Sequence, residues 1–188
     1  MKLIIDKDSY LTLVDFKEAP EVLSLIERNR RYLRKWLGWL DMTQSVTDLS
    51  RFIETCKKEF EAKKGLSTFI WHKGEAVGIM HLKAVNPTNK KAEIGYWVGE
   101  EHRGQGIAKK ACKAMLHFAF NEWDLNRVEI RCATKNKASQ AIPIYLGFQQ
   151  EGILRENEWL YDHFVDHVVF SILKKDWIKG LQKEPSQR

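Results

Sequence analysis

The feature that most constrains this chain is a strand that breaks off at a glycine-bearing turn and hands over to an apolar helix. Residues Ala92 to Gly99 alternate tightly and are rich in aromatic and β-branched side chains, which marks a strand with two distinct faces. Arg103-Gly104-Gln105-Gly106-Ile107-Ala108 follows. Ile107, Ala111, Met115, Phe118 and Ala119 then recur at helical spacing as far as about Phe120. Glycines let such a turn be sharp, and successive N–H groups at a helix N-terminus form a cradle for an anion such as a pyrophosphate, with Arg103 adding charge. Two glycines alone are equally compatible with a tight turn that holds nothing. No Gly-Lys-Ser/Thr follows and the Gly-x-Gly-x-x-Gly spacing is absent, which demotes nucleoside triphosphates and NAD.

The elements around this unit set the fold class. Tyr10 to Val14 reads as a strand. A helix then starts at Pro20 and carries Val22, Leu25, Ile26 and Leu33, and a second, capped by Ser45 or Thr47, carries Leu49, Phe52, Ile53, Cys56 and Phe60 before Gly65. Leu66 to Trp71 and Val77 to Lys83 form a hairpin around Lys73-Gly74. Beyond the apolar helix come a strand at Arg127 to Ala133, a short helix at Ala138 to Tyr145, and strands at Phe148 to Trp159 and Phe164 to Leu173. The fold class is α/β (α+β): a mixed, mostly antiparallel sheet flanked by helices, with hairpins early and helical crossovers late. Residues 1–178 read as a single domain and 179–188 as a polar C-terminal tail that frays.

Composition narrows the setting. The formal net charge of +6, from 31 Lys and Arg against 25 Asp and Glu, favours acidic partners. Three cysteines without a Cys-x-x-Cys pair argue against a disulfide framework. With no signal-peptide pattern and no long apolar run, the expectation is a cytoplasmic protein with no membrane association. His163 and His167 have the spacing of a helical zinc pair, but Val165, Val168, Val169 and Phe170 specify a strand. There the two stand about 13 Å apart, so no metal is expected.

The segment Arg103-x-x-Gly106-x-Ala108 resembles the Arg/Gln-x-x-Gly-x-Gly/Ala signature of GNAT acetyltransferases. Ala92-Glu93-Ile94-Gly95-Tyr96-Trp97, Asn136-Lys137-Ala138-Ser139, and Leu146-Gly147-Phe148 followed by Glu151-Gly152 are similar to the RimJ/RimL branch, which acetylates ribosomal-protein N-termini. The likeness covers Tyr10 to Trp177 and includes the element order. It implies the GNAT acyl-CoA N-acyltransferase fold and acetyl-CoA as donor, without a metal. Val98 would bond the pantetheine arm. The pyrophosphate would lie on Glu101, His102, Arg103, Gly104, Gln105, Gly106, Ile107 and Ala108, and Asn136 would bind the arm from the other side. Ser139 would stand near the thioester sulfur as general acid. Many members carry a tyrosine four residues before the Gly of the Gly-Phe pair; that position here is Pro143, and Tyr145 is displaced along the helix.

Glu93, on the strand leading into the turn, is the expected general base, directly or through water, with an exposed structural carboxylate as the alternative. Trp36, Trp39 and Tyr96 are the substrate-binding residues that the resemblance implies, with packing as the alternative role of the two tryptophans. The basic helix with Arg28, Arg30, Arg31, Arg34 and Lys35 is a candidate for steering acidic substrates or, more simply, a solvated face. The expected activity is acetyl transfer from acetyl-CoA to a primary amine by direct attack in a ternary complex, the acceptor being a protein N-terminus, of a ribosomal protein in particular. The alternatives are a small amine (polyamine, aminoglycoside or peptide antibiotic) and a non-catalytic CoA-sensing module. No direct nucleic-acid function is expected; the resemblance also implies homodimers.

Overall fold

Alternation and turn chemistry assemble eight strands into one sheet: β1 (Lys2–Ile4), β2 (Ser9–Leu13), β3 (Leu66–His72), β4 (Glu75–Asn86), β5 (Lys91–Val98), β6 (Arg127–Ala133), β7 (Gln149–Leu160) and β8 (His163–Leu173). The computed structural model describes residues 1 to 183, and the sheet order in it is β1-β2-β3-β4-β5-β6-β8-β7. Lys73 and Gly74 both take positive φ, 51° and 87°, the geometry that matches a two-residue hairpin to the twist of β3 and β4. Every pairing is antiparallel except β5 with β6, which meet in parallel only at Lys91–Arg127, Ala92–Val128 and Glu93–Glu129. Beyond Glu93 these two strands part, and a wedge opens in the middle of the sheet.

Helices cover the sheet on both faces. Helix α1 (Ala19–Leu33) has Pro20 in its first turn and buries Ala19, Val22, Leu25, Ile26, Asn29 and Leu33 along one stripe. In α2 (Val46–Glu61) Ser45 is the cap: its Oγ accepts from the Asp48 N–H at 3.2 Å and donates to the Asp48 carboxylate at 2.7 Å. These two helices share an apolar core with Phe69, Trp71, Ile79 and Trp97. On the opposite face α3 (Ile107–Asn121) packs Ile107, Ala111, Cys112, Met115, Leu116, Ala119 and Phe120 against Met80, Ile94, Val128, Ile130 and Phe170. Helix α4 (Lys137–Tyr145) follows β6, and its buried Gln140 donates to the carbonyls of Ala133 and Thr134.

Two elements depart from expectation. β1 is a three-residue edge strand, too short to display an alternation among the charges of the first ten residues. At the other end α5 (Lys174–Lys183) buries Trp177 against Phe120, so the tail expected to fray from Lys179 is helical as far as 183. Residues 184–188 of that tail lie outside the described residues.

Candidate active site

The wedge exposes backbone on β5. The Gly99 N–H donates to the Val77 carbonyl at 2.9 Å, which makes Gly78–Val98 a non-hydrogen-bonded pair and turns the N–H and C=O of Val98 away from β4. With a period of two, Tyr96 turns its backbone the same way. Both face the gap that β6 has left. Close approach of β4 keeps this edge in place: a Cβ on Gly78 would meet the Trp97 carbonyl oxygen at 2.2 Å, so only glycine fits there.

At the end of β5 the chain makes a 3-10 turn over Glu100–His102 and then runs exposed through Arg103, Gly104 and Gln105 to α3. Gly106 is the N-cap of α3 in the left-handed region, φ 73° and ψ 5°, and no side chain caps the helix. The first N–H groups of α3 are thus left for an anion, and the helix dipole adds to the attraction. Gln105 Nε2 donates to the Glu101 carbonyl at 3.0 Å, and the Arg103 guanidinium lies over the Tyr32 ring at 5.2 Å. His102 approaches Glu101 at 3.8 Å. Ile107 and Ala108 are buried and anchor the helix start.

Across the wedge, Asn136 caps α4: its Oδ1 accepts from the Ser139 N–H at 3.1 Å. That fixes Ser139, whose hydroxyl lies 3.2 Å from the Cys132 thiol and donates to the Tyr96 hydroxyl at 3.3 Å, while the Tyr96 O–H donates to the Ser139 carbonyl at 2.9 Å. Burial raises the Tyr96 phenol well above its usual value and pushes the Cys132 thiol up as well, so both stay protonated. Tyr145 is elsewhere: its ring is 69% exposed, with Lys109 Nζ above it at 3.7 Å.

The other face of the wedge is lined differently. Alternation sends Trp97 to the α1/α2 side, where it packs against Trp39 with ring centroids 6.4 Å apart. The loop after α1, which carries the half-buried Trp36 and Trp39, meets the β7–β8 hairpin: Tyr161 O–H donates to the Leu37 carbonyl, Arg34 stacks on the Tyr161 ring at 3.7 Å, and Gly38 faces Glu158. Glu158 Oε2 pairs with His167 Nε2 at 3.1 Å, and Asn157 contacts the other ring nitrogen at 3.0 Å. His167 stands opposite Ala133, at the end of β6 that borders the open wedge.

The residues 10–149 match the family model described as an acetyltransferase (GNAT) domain. The chain belongs to this family. It is 33% identical over 168 residues to the "Putative ribosomal N-acetyltransferase YdaF" of Bacillus subtilis (strain 168), covering 89% of this chain and 92% of that protein. It is 32% identical over 142 residues to the ribosomal-protein-serine acetyltransferase of Escherichia coli (strain K12), with 76% and 79% covered. The crystal structure of the microcin C7 self-immunity acetyltransferase MccE in complex with acetyl-CoA and AMP superposes with a TM-score of 0.85 at 28% identity, over 90% of this chain and 94% of that one. The protein is an acetyltransferase, and its donor is acetyl-CoA.

In this GNAT enzyme the expected site residues fall into two groups on opposite sides of the wedge. Val98, the loop from Glu101 to Ala108, Asn136 and Ser139 come together, and Tyr96 joins them. Tyr96 was expected with the acceptor-side tryptophans, but strand alternation points it to the α3/α4 side, and Trp97 takes its place beside Trp39. Glu93 is on the Trp97 side, yet both its oxygens are engaged, Oε1 by Lys83 Nζ at 3.0 Å and Oε2 by Arg131 Nε at 3.5 Å. It could take a proton only by giving up an ion pair. Glu158 and His167 bring a carboxylate and an imidazole to the Trp39/Trp97 side of the wedge that motif reading missed; they are brought together by the hairpin at Tyr161-Asp162 and the irregular register between Leu154 and Glu158. Arg30 and Arg34 brace the loop after α1: Arg30 donates to the carbonyls of Leu40 and Thr43, and Arg34 pairs with Asp41 at 2.9 Å. Among the described residues no group of three or more His, Cys, Asp or Glu could hold a metal, and no helix is long and apolar enough to cross a membrane.

Proposed function

We propose that this acetyltransferase modifies the N-terminal α-amine of a protein, ribosomal proteins being the favoured class, by direct attack on acetyl-CoA in a ternary complex. The observation that carries this reading is that the wedge is approached from its two faces by complementary groups, hydroxyl donors on one side and a carboxylate–histidine pair on the other. In this reading the loop from Glu101 to Ala108 holds the pyrophosphate on N–H groups and Arg103, and Asn136 contacts the arm. The Val98 N–H polarises the thioester carbonyl and stabilises the oxyanion that forms there. The amine, lying against Trp36, Trp39 and Trp97, gives its proton to Glu158, directly or through water, with His167 holding that carboxylate in place. Collapse of the tetrahedral intermediate expels the CoA thiolate, the Ser139 hydroxyl protonates it, and solvent returns a proton to Ser139 while Glu158 releases the one it took. Glu93 belongs to the ion pairs of the sheet face rather than to the proton path.

An N-terminal amine suits so modest a base. Deprotonation near neutral pH costs roughly 1 kcal/mol for an α-amine, against about 4 for a lysine or polyamine nitrogen. Polycations also find little to bind, since the carboxylates on this side, Asp41, Glu93 and Glu158, are each paired with a protein cation or with His167. Of the three curated relatives above 30% identity, two are named for ribosomal substrates and the third only as an N-acetyltransferase. The likeness to MccE supports a second reading, a peptide-antibiotic acceptor. One panel separates them: free thiol release from acetyl-CoA with peptides bearing ribosomal-protein N-termini, polyamines, aminoglycosides and a peptide antibiotic, for the native enzyme and for Glu158→Gln and Glu93→Gln. Peptides should be preferred. Glu158→Gln should lose roughly five- to tenfold in turnover near pH 7, recovering as pH passes about 8, while Glu93→Gln changes turnover little. Preferential turnover of a polyamine, or the reverse order of the two variants, would overturn this account.

A further inference from the structure

We infer that Asn29 is a positioning residue that ties the helix of the acceptor side to the donor loop, so that the two substrates bind interdependently. Asn29 is only 3% exposed, in the middle of the apolar stripe of α1, where leucine or isoleucine would pack at lower desolvation cost. Both ends of its carboxamide are engaged. Oδ1 accepts from the Glu100 N–H at 2.7 Å, 71 residues along the chain, and Nδ2 donates to the Leu25 carbonyl at 3.0 Å, which fixes the amide's orientation. The backbone is close here: a Cβ on Gly99 would stand 3.2 Å from Asn29 Nδ2. One helical turn on, Tyr32 sits beneath the Arg103 guanidinium, so positions 29 and 32 of α1 meet positions 100 and 103 of the loop at matched spacing. The neighbouring residue, Arg30, bonds the carbonyls of Leu40 and Thr43 in the segment that follows Trp36 and Trp39. Adjacent residues of one rigid helix thus hold the two substrate-facing loops. Anything that orders one loop through α1 lowers the cost of ordering the other, and such coupling is reciprocal.

This inference rests on the reading that the loop from Glu101 to Ala108 holds the pyrophosphate. Asn29→Leu keeps the volume and removes the accepting oxygen, leaving the Glu100 N–H without its partner. In this variant, CoA binding by calorimetry should weaken about tenfold and the KM for acetyl-CoA rise to match, with kcat within about twofold of native. Thermal unfolding of the ligand-free protein should be unchanged or slightly higher. For the native enzyme, CoA should raise the affinity for an acceptor peptide several-fold; for Asn29→Leu that ratio should fall to about one. Tyr32→Leu, which leaves Asn29 in place, should weaken CoA binding a few-fold and gives the same test should Asn29→Leu not fold. Native-like CoA affinity in a folded Asn29→Leu, or a retained coupling ratio, overturns the inference. Gly106→Val distinguishes the two levels: if it abolishes CoA binding while Asn29→Leu and Tyr32→Leu do not weaken it, the loop reading stands and the brace fails, whereas unchanged binding in Gly106→Val removes the loop itself from the site.

Discussion

One face of the sheet is built in two ways. Over β2 to β5 the helices α1 and α2 cover it, and the side chains turned that way are Phe69, Trp71, Ile79 and Trp97, packed to exclude water. Over β6, β8 and β7 the same face carries Arg127, Glu129, Arg131, Ser171 and Glu151, none of which belongs to either apolar core. These join Lys83 and Glu93 in a ladder of alternating charge: Lys83–Glu93 at 3.0 Å, Glu93–Arg131 at 3.5 Å, Arg131–Glu129 at 3.0 Å, Glu129–Arg127 at 3.0 Å, and then Arg127–Glu151, with Ser171 donating to Glu151 at 2.7 Å. A sheet half-buried by helices can spend its side chains on packing. The half over β6, β8 and β7 satisfies its polar groups among themselves instead, at the small net gain typical of partly exposed ion pairs.

The sharpest way to break this contrast is to remove one side chain from each half. Phe69→Ala leaves a cavity in a fully buried site and should cost about 3–5 kcal/mol in urea unfolding, with little dependence on salt. Arg127→Ala should cost about 1–2 kcal/mol, since it strips one of two cations from the nearly buried Glu129, and the loss should shrink in 1 M salt. Equal losses, or equal salt dependence, would erase the distinction.

Acid should take the two halves apart in sequence. His81 lies under α2, edge-on to Phe52 at 5.7 Å, and burial lowers its pKa from about 6.5 to about 4. It is neutral when folded, so the stability it contributes is complete above about pH 6.5 and is lost as pH falls towards 4. In the ladder, the hydrogen bond from Arg127 lowers Glu151 to about 2; for Glu129 burial acts upwards, but the bonds from Arg131 and Arg127 prevail and its pKa is lowered. That stabilisation is complete above about pH 4.5 and fades as pH falls towards 2. Denaturant titrations from pH 8 to 3 should show a first, shallower loss of stability beginning below pH 6.5 that His81→Leu removes. The smallest expected effect is that of Arg127→Ala on this upper window, which should be nil.

The two halves were also unequally legible in the sequence. Glycine demands leave marks, so the Lys73-Gly74 hairpin and the Gly106 cap could be read directly, and β-branched alternation marked β6 from Arg127 to Ala133. Ser139 came from motif, and the structure places it beside Tyr96 and Cys132. What sequence could not give was partnership across strands. Glu93 reads as a lone carboxylate until the parallel register with Glu129 brings Arg131 beside it. Tyr96 and Trp97 have plainly opposite parity, but which face receives the acceptor depends on where α1 and the β7–β8 hairpin lie. Asn29 reads as a polar intrusion in an apolar stripe, because its partner is the backbone of Glu100. Local chemistry is written locally; these contacts depend on register.

The parting of β5 from β6 has a consequence for donor choice. Sheets ordinarily keep their unsatisfied edges at the rim, where any extended chain can add itself; here the last residues of β5 make a second edge in the interior of the sheet, flanked by α3 and α4 on one face and α1 on the other. In the proposed reading, a chain carrying amides at intervals would lie along that slot and pair with backbone that β6 has left open. The amide-bearing arm of coenzyme A would then act as a surrogate strand, seated where a ladder stops after three rungs.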